Sequence, residues 1–250
     1  MHVEFDASGT VTGLIDAVQR LCVDPGVKAA LVFAADGNQL PPETLNAAIV
    51  TSPLPLLGGI FPAIIHQSDD CRRGTLLVGL DHLPDYGVIN ALSVTSTPFE
   101  GTISSFVNDW REEPQCATYL VVVDGLAARI SDLIEAVFFS LGLERNCIGG
   151  GAGSLSFRQT PCIIPPEGLY QDAALIARIA VSSTLGTSHG WQPISEIMTV
   201  TESEGNRVQS IDWYPAAEVY ARKVLAHGGD MIDSDNFFSI AKSYPLGITR

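Results

Sequence analysis

Positive charge is scarce in this sequence. Lys and Arg together number 14 against 28 Asp and Glu, and no basic run occurs anywhere in the 250 residues. Nucleic acid and anionic membrane surfaces both need clustered cations to neutralise phosphates, so neither is an expected partner. Long uncharged apolar runs are also missing: none reaches about eighteen residues, the length of a membrane span. The opening Met1-His2-Val3-Glu4-Phe5-Asp6 has no basic segment followed by an apolar one, so neither a secretory leader nor membrane insertion is expected.

Cysteine occurs five times, at Cys22, Cys71, Cys116, Cys147 and Cys162, an odd and scattered set without a CxxC pair. A disulfide framework and a thiolate zinc site are both disfavoured, and a reducing cytoplasm is the expected compartment. The five histidines, His2, His66, His82, His189 and His227, have no HxH or HExxH spacing, which removes support for a protein-built metal site. There is no GxSxG elbow, and Ser154, Ser156, Cys147 and Cys162 lack a histidine or acid patterned to activate them. No catalytic residue is therefore assigned.

What the chain does have is apolar residue, 46%, and 23 glycines. That composition belongs to a folded globular protein, long enough for one large domain or two small ones. Val11 to Cys22 carries apolar side chains at helical spacing and is ended by Asp24-Pro25-Gly26. Lys28 to Ala35 is an apolar run of strand length closed by Asp36-Gly37, and Pro41 to Val50 reads as a helix. Leu56 to Ile65, Gly74 to Leu80 and Tyr86 to Val94 read as strands.

After an amphipathic piece, Ile103 to Trp110, and a break at Glu112-Glu113-Pro114, a similar order begins again. Thr118 to Val123 is a buried strand closed by Asp124-Gly125. A helix from Leu126 to Leu141 follows, then the glycine-rich Ile148-Gly149-Gly150-Gly151-Ala152-Gly153-Ser154, then a strand over Asp172 to Val181. An internal repeat over 28–94 and 118–181 is expected, with Gly58-Gly59 as the weaker counterpart of the glycine run. Clefts between repeated units are favoured ligand sites. From residue 183 the texture changes. A hairpin of Ile197 to Thr201 and Val208 to Trp213, turning at Ser203-Glu204-Gly205-Asn206, precedes helices over Pro215 to Ala226 and Ser234 to Ser243.

The glycine run reads in two ways. Bare main chain at Gly149, Gly150, Gly151 and Gly153 permits close strand packing or a bulge, or it leaves N–H groups free to line a pocket for an anionic ligand group. No Lys-Ser/Thr follows it and it comes after a helix instead of opening one, so it is no phosphate loop. Arg158 is either a solvated residue or the partner of a ligand carboxylate, as an amino-acid site would require. Arg178 stands among apolar neighbours, where a cation needs a partner or a wet cavity. His189 and His66 are ordinary backbone-bonded residues or, if haem is bound, candidate axial ligands.

Several segments together resemble the FIST family of sensory domains. They are the repeated strand, Asp-Gly and helix, with Ile148 to Gly153; His189-Gly190-Trp191-Gln192-Pro193-Ile194; Val200-Thr201 with Glu204-Gly205-Asn206-Arg207-Val208; Pro215-Ala216-Ala217-Glu218-Val219-Tyr220; and Pro245-Leu246-Gly247. The resemblance implies an N-terminal and a C-terminal module of a kind found in prokaryotic signalling proteins and some eukaryotic F-box proteins, with binding of small ligands such as amino acids. A branch of the family implies haem binding and nitric-oxide sensing, acting on a partner histidine kinase. The C-terminal module normally continues past its Pro-Leu-Gly segment, so with the chain ending at Arg250 only part of it is expected here.

The expected fold is α/β, mixed sheets with covering helices: residues 1–182 as a FIST N-terminal-like module and 183–250 as part of a C-terminal-like one. The expected function is a cytoplasmic sensor for a small ligand, with Gly149, Gly150, Gly151, Gly153, Ser154, Arg158, Arg178 and His189 as candidate ligand-binding residues and no cofactor. Two alternatives stand beside it: a haem-based nitric-oxide sensor using His189 or His66, and a small-molecule hydrolase or transferase.

Overall fold

The computed structural model describes residues 2–38, 40–108, 110, 117–154, 156–186, 190–204 and 207–248. The break at Glu112-Glu113-Pro114 lies outside the described residues. The chain divides into two compact units, Met1–Leu185 and Gly186–Arg250.

The larger unit opens on β1 (His2–Asp6), followed by α1 (Val11–Leu21), β2 (Ala29–Ala35), a 3-10 turn (Asp36–Asn38), α2 (Pro42–Val50) and β3 (Leu56–Phe61). A two-stranded hairpin of β4 (Ile64–His66) and β5 (Asp69–Cys71) leads to β6 (Thr75–Leu80). The series then resumes with β7 (Asp85–Asn90), α3 (Phe99–Val107), β8 (Thr118–Asp124), α4 (Ile130–Leu141) and β9 (Asn146–Ala152). It closes with the short β10 (Ile163–Ile164) and β11 (Ala173–Ile179).

Two mixed sheets result, in the orders β1-β6-β2-β3-β10 and β7-β11-β8-β9. In each, a parallel pair joined by a helix (β2 with β3, β8 with β9) is extended by antiparallel neighbours. A crossover helix is the usual way to bring two strands parallel, because a tight turn cannot. Strand, helix, strand, helix, strand and returning strand thus occur in the same order from β1 to β6 and from β7 to β11. Tyr86 to Val94, expected to finish the first half, is corrected here: β7 stands at the edge of the second sheet, antiparallel to β11, as β1 stands antiparallel to β6. The expectation began one strand and one helix too late in each half. β1 is only five residues long with charges at Glu4 and Asp6, and its alternation is weak.

Each helix pair covers the outer face of its own sheet. Leu14, Val18 and Leu21 of α1 and Leu45 and Ile49 of α2 cluster with Val32, Leu56 and Leu77. Ile103 of α3 and Leu133, Val137 and Leu141 of α4 cluster with Val121, Val123 and Ile176. The inner faces meet each other, Leu31 and Leu57 of one sheet packing with Leu120, Val122 and Leu175 of the other. The unit is therefore four layers, helices outside and two sheets inside. Both sheets are covered on both faces, which is why β2, β8 and β11 read as continuous apolar runs and are buried almost throughout. Each fully buried Leu or Ile contributes about 1.5–3 kcal/mol of transfer free energy.

The smaller unit is a three-stranded antiparallel sheet, β12 (Val200–Glu204), β13 (Arg207–Ile211) and β14 (Tyr214–Pro215), followed by α5 (Ala216–Ala226) and α6 (Phe237–Ser243). α5 packs on β13, and Ile211, Val219 and Val224 are buried. The tip of the hairpin, Gly205-Asn206, lies outside the described residues.

Candidate functional site

The glycine run is a strand, the free edge of the second sheet, and its members do different things. Gly149 lies opposite Val121, and a Cβ there would overlap the Val121 carbonyl oxygen at a φ of +157°. Gly58 lies opposite Val32 in the same way, where a Cβ would overlap the Val32 carbonyl oxygen at a φ of +152°. Both positions exclude side chains so that parallel neighbours can approach. Gly150 is exposed, with nothing within 4 Å of the place a Cβ would take, and Gly151 faces Gly125. Only at Gly153, where φ is +133° and the space is open, does the bare main chain border a hollow.

That hollow is made by the segment following β9, which crosses from the second sheet to the first. Gly153 donates its N–H to the Ile60 carbonyl at 2.8 Å, and Ile60 donates its own N–H to the Cys162 carbonyl at 2.8 Å. The loop between is anchored on β3 at both ends, and β10 then pairs with β3. Within it, Ser154 donates its hydroxyl to Asp36 Oδ2 at 2.7 Å, and Gln159 donates Nε2 to Asp124 Oδ2 at 2.9 Å.

Between the loop and the start of α2 lies a cleft of about 280 Å³. Ala35 and Asp36 reach it from the end of β2, Leu40, Pro41 and Pro42 from the approach to α2, Ile60 from β3, Thr160 and Pro161 from the crossing segment, and Leu169 from the turn after β10. It thus sits at the carboxyl ends of parallel β2 and β3, where open α/β sheets characteristically leave room for ligands. A smaller hollow of about 100 Å³ between α1 and α2 is lined by no charged side chain among the described residues.

The two aspartates that close β2 and β8 differ in register. Asp36 stands four residues past Val32, whereas Asp124 stands three past Val121. Asp124 is buried and accepts hydrogen bonds from Leu126 N, Asp172 N and Gln159 Nε2 at 2.8–3.0 Å. Asp36 is half-buried, and among the described residues only the Ser154 hydroxyl donates to it. Asp124 holds together the turn after β8; Asp36 borders the cleft.

Of the residues singled out in the sequence, Gly153 lines the cleft and Ser154 touches it through Asp36. Gly149, Gly150 and Gly151 do not line it. Arg158 is exposed, its backbone N–H on Ser156 Oγ at 3.3 Å, and does not line the cleft. Arg178 is buried and has its partners: Asp85 Oδ2 at 2.5 Å and the Trp110 carbonyl at 2.5 Å, with the guanidinium 5.7 Å from the Trp110 ring centre. It pairs across from Tyr119 near the start of β8, the end of the sheet away from Asp124. His66 stacks on Phe5 at 4.2 Å, and His189 lies outside the described residues. Among the described residues no histidine lines either hollow. No group of three or more metal-ligating side chains occurs among the described residues.

Of the two thiols weighed as nucleophiles, Cys162 is buried and Cys147 half-buried. Burial, reinforced by the Asp124 charge, pushes Cys162 up to about 12, and burial also raises Cys147. Both stay protonated at neutral pH, the unreactive form. In the sequence Asp36 reads only as the residue that closes its strand, and Leu40, Thr160 and Leu169 do not stand out at all. The available signal was an acid at the carboxyl end of a strand leading into a crossover helix.

A family model, described as the FIST N domain, matches residues 26–214, well over half of the chain. No curated protein matches it. Among the described residues no helix is long and apolar enough to cross a membrane.

Proposed function

Since the chain belongs to the FIST N-domain family, and so is a sensory domain, we propose that it binds a small ligand in the cleft beside Asp36 and passes occupancy to a signalling partner in the cytoplasm. The observation that carries this reading is the cleft itself: apolar walls, one carboxylate with a serine hydroxyl on it, at the carboxyl ends of two parallel strands. A polar small molecule such as an amino acid is the first choice of ligand, and a histidine kinase or another signalling protein the partner. We read residues 183–250 as part of the family's C-terminal module.

Signal transfer would run through the crossing segment. It forms one wall of the cleft, is bonded to β3 at Ile60 and touches both aspartates, so a ligand pressing on Thr160 or Pro161 acts on the link between the sheets. A ligand shifts the arrangement only by its difference in affinity for the two states. The test is a thermal-shift screen of small metabolites on the full chain, run beside Thr160→Trp, which places an indole in the cleft from an exposed lining position. Compounds that raise the melting temperature of the parent and not of the variant are expected. A screen in which every positive compound stabilises both proteins equally removes the cleft as the site.

A further inference from the structure

The sequence directs attention to an anionic ligand group, held by glycine amides or by Arg158. The assembled cleft has the opposite polarity. Among the described residues that line it, Asp36 is the one charged side chain, and none is Lys or Arg. The first turn of α2 adds little for an anion, since neither Pro41 nor Pro42 has an N–H and Glu43 places a negative charge there. Arg72, whose carbonyl packs near Gly37, forms no ion pair with Asp36 among the described residues.

We propose that the ligand is recognised by a protonated amine, a small primary or secondary ammonium with a compact apolar body, seated on the Asp36 carboxylate. This rests on the cleft being the ligand site. Asp36 Oδ2 takes the Ser154 hydroxyl and Oδ1 has no donor among the described residues. Ser154 Oγ in turn accepts from the Ser156 N–H at 3.0 Å and lies 2.9 Å from Ser156 Oγ; with its one proton given to Asp36, the nearer and charged acceptor, Asp36 Oδ1 stays open to a donor. Asp124 illustrates the alternative: its carboxylate is filled by three protein N–H donors, whereas Asp36 leaves that role to a visitor. N–H donors carrying a positive charge make the stronger bonds to a carboxylate. Leu40, Pro42, Ile60 and Leu169 supply apolar wall for the remainder of the molecule. A ligand carboxylate would meet no cation among the described residues of the lining and would be repelled by Asp36.

The test uses three compounds built on the same 3-methylbutyl chain, on the full protein by calorimetry: 3-methylbutylamine, leucine and 4-methylpentanoate. The amine is expected to bind at least about tenfold more tightly than the acid, with leucine between them. Asp36→Asn should weaken the amine by about tenfold and leave the acid unchanged or better, and Ser154→Ala, which keeps the charge, should weaken the amine by less than about threefold. Melting temperatures without ligand establish that both variants fold. The inference is overturned if the acid binds as tightly as the amine, if Asp36→Asn leaves the amine unaffected, or if none of the three binds. If the acid is preferred and Thr160→Trp abolishes its binding, the cleft remains the site and only the polarity falls. If amine binding survives Thr160→Trp, the cleft itself is wrong.

Discussion

The two halves of the larger unit use the same strand order and the same glycine device, yet they finish differently. Gly58 on β3 is buried because β10 pairs beyond it, while Gly149 on β9 sits at the free edge of its sheet. β10 itself comes from the chain after β9, so the second half closes the sheet of the first. That asymmetry makes the cleft: the crossing segment brings Gln159 to Asp124, where Asp172 from the approach to β11 joins it, and arches over Asp36 with only Ser154. A repeated architecture thus yields one packed end and one open end.

The comparison breaks first at the glycines. Gly58→Val and Gly149→Val should each cost about 3 kcal/mol or more in urea denaturation, because a side chain meets a carbonyl oxygen at a φ that such residues rarely adopt. Gly150→Val should stay within about 0.5 kcal/mol. If Gly149→Val were equally mild, the shared device would not exist.

Next come the two aspartates. Asp124→Ala strips the partner from three half-buried donors and should cost about 2–3 kcal/mol, against less than about 1 kcal/mol for Asp36→Ala. Equal losses would erase the distinction between a structural and a ligand-facing carboxylate.

Arg178→Met sharpens the contrast between stability and binding. It removes the guanidinium from Asp85 and Trp110 and should cost about 2 kcal/mol, somewhat below a fully buried pair because Asp85 is half-exposed. Compounds that bind the cleft should keep their affinity.

The smallest effect concerns Cys162, which lines the cleft wall. Its folded-state value is raised from 9.0 to about 12, so the folded protein holds the proton more tightly than the unfolded chain. The stabilisation is fully present below pH 9 and is lost as pH rises from there toward 12. Cys162→Ala should reduce the fall in melting temperature between about pH 9 and 10.5, and an unchanged slope would show that other groups govern it.

Much of the framework was legible from local pattern. Leu14, Val18 and Leu21 at helical spacing, and the runs now seen as β2, β8 and β11, encode which face is buried, and burial is what hydrophobic periodicity reports. The site was less legible. Gly153 and Ser154 were within reach because missing side chains stand out, but Arg178 was conspicuous only for a burial that a partner on β7 explains. Asp36 resembled Asp124 in its Asp-Gly setting, and nothing adjacent to either one reveals that a single-residue difference in register separates them.

By itself the sequence determined the helices, the buried strands and their alternation, since each depends on residues within a turn or two of one another. Only the tertiary structure decided which sheet β7 joins, which glycines are pressed against a neighbour, and that Ser154 meets Asp36, 118 residues away along the chain. Contacts of that separation arise from how preformed faces stack and cross. Local propensity favours the faces and is silent about their partners, which is why the open carboxylate became visible only once the sheets were assembled.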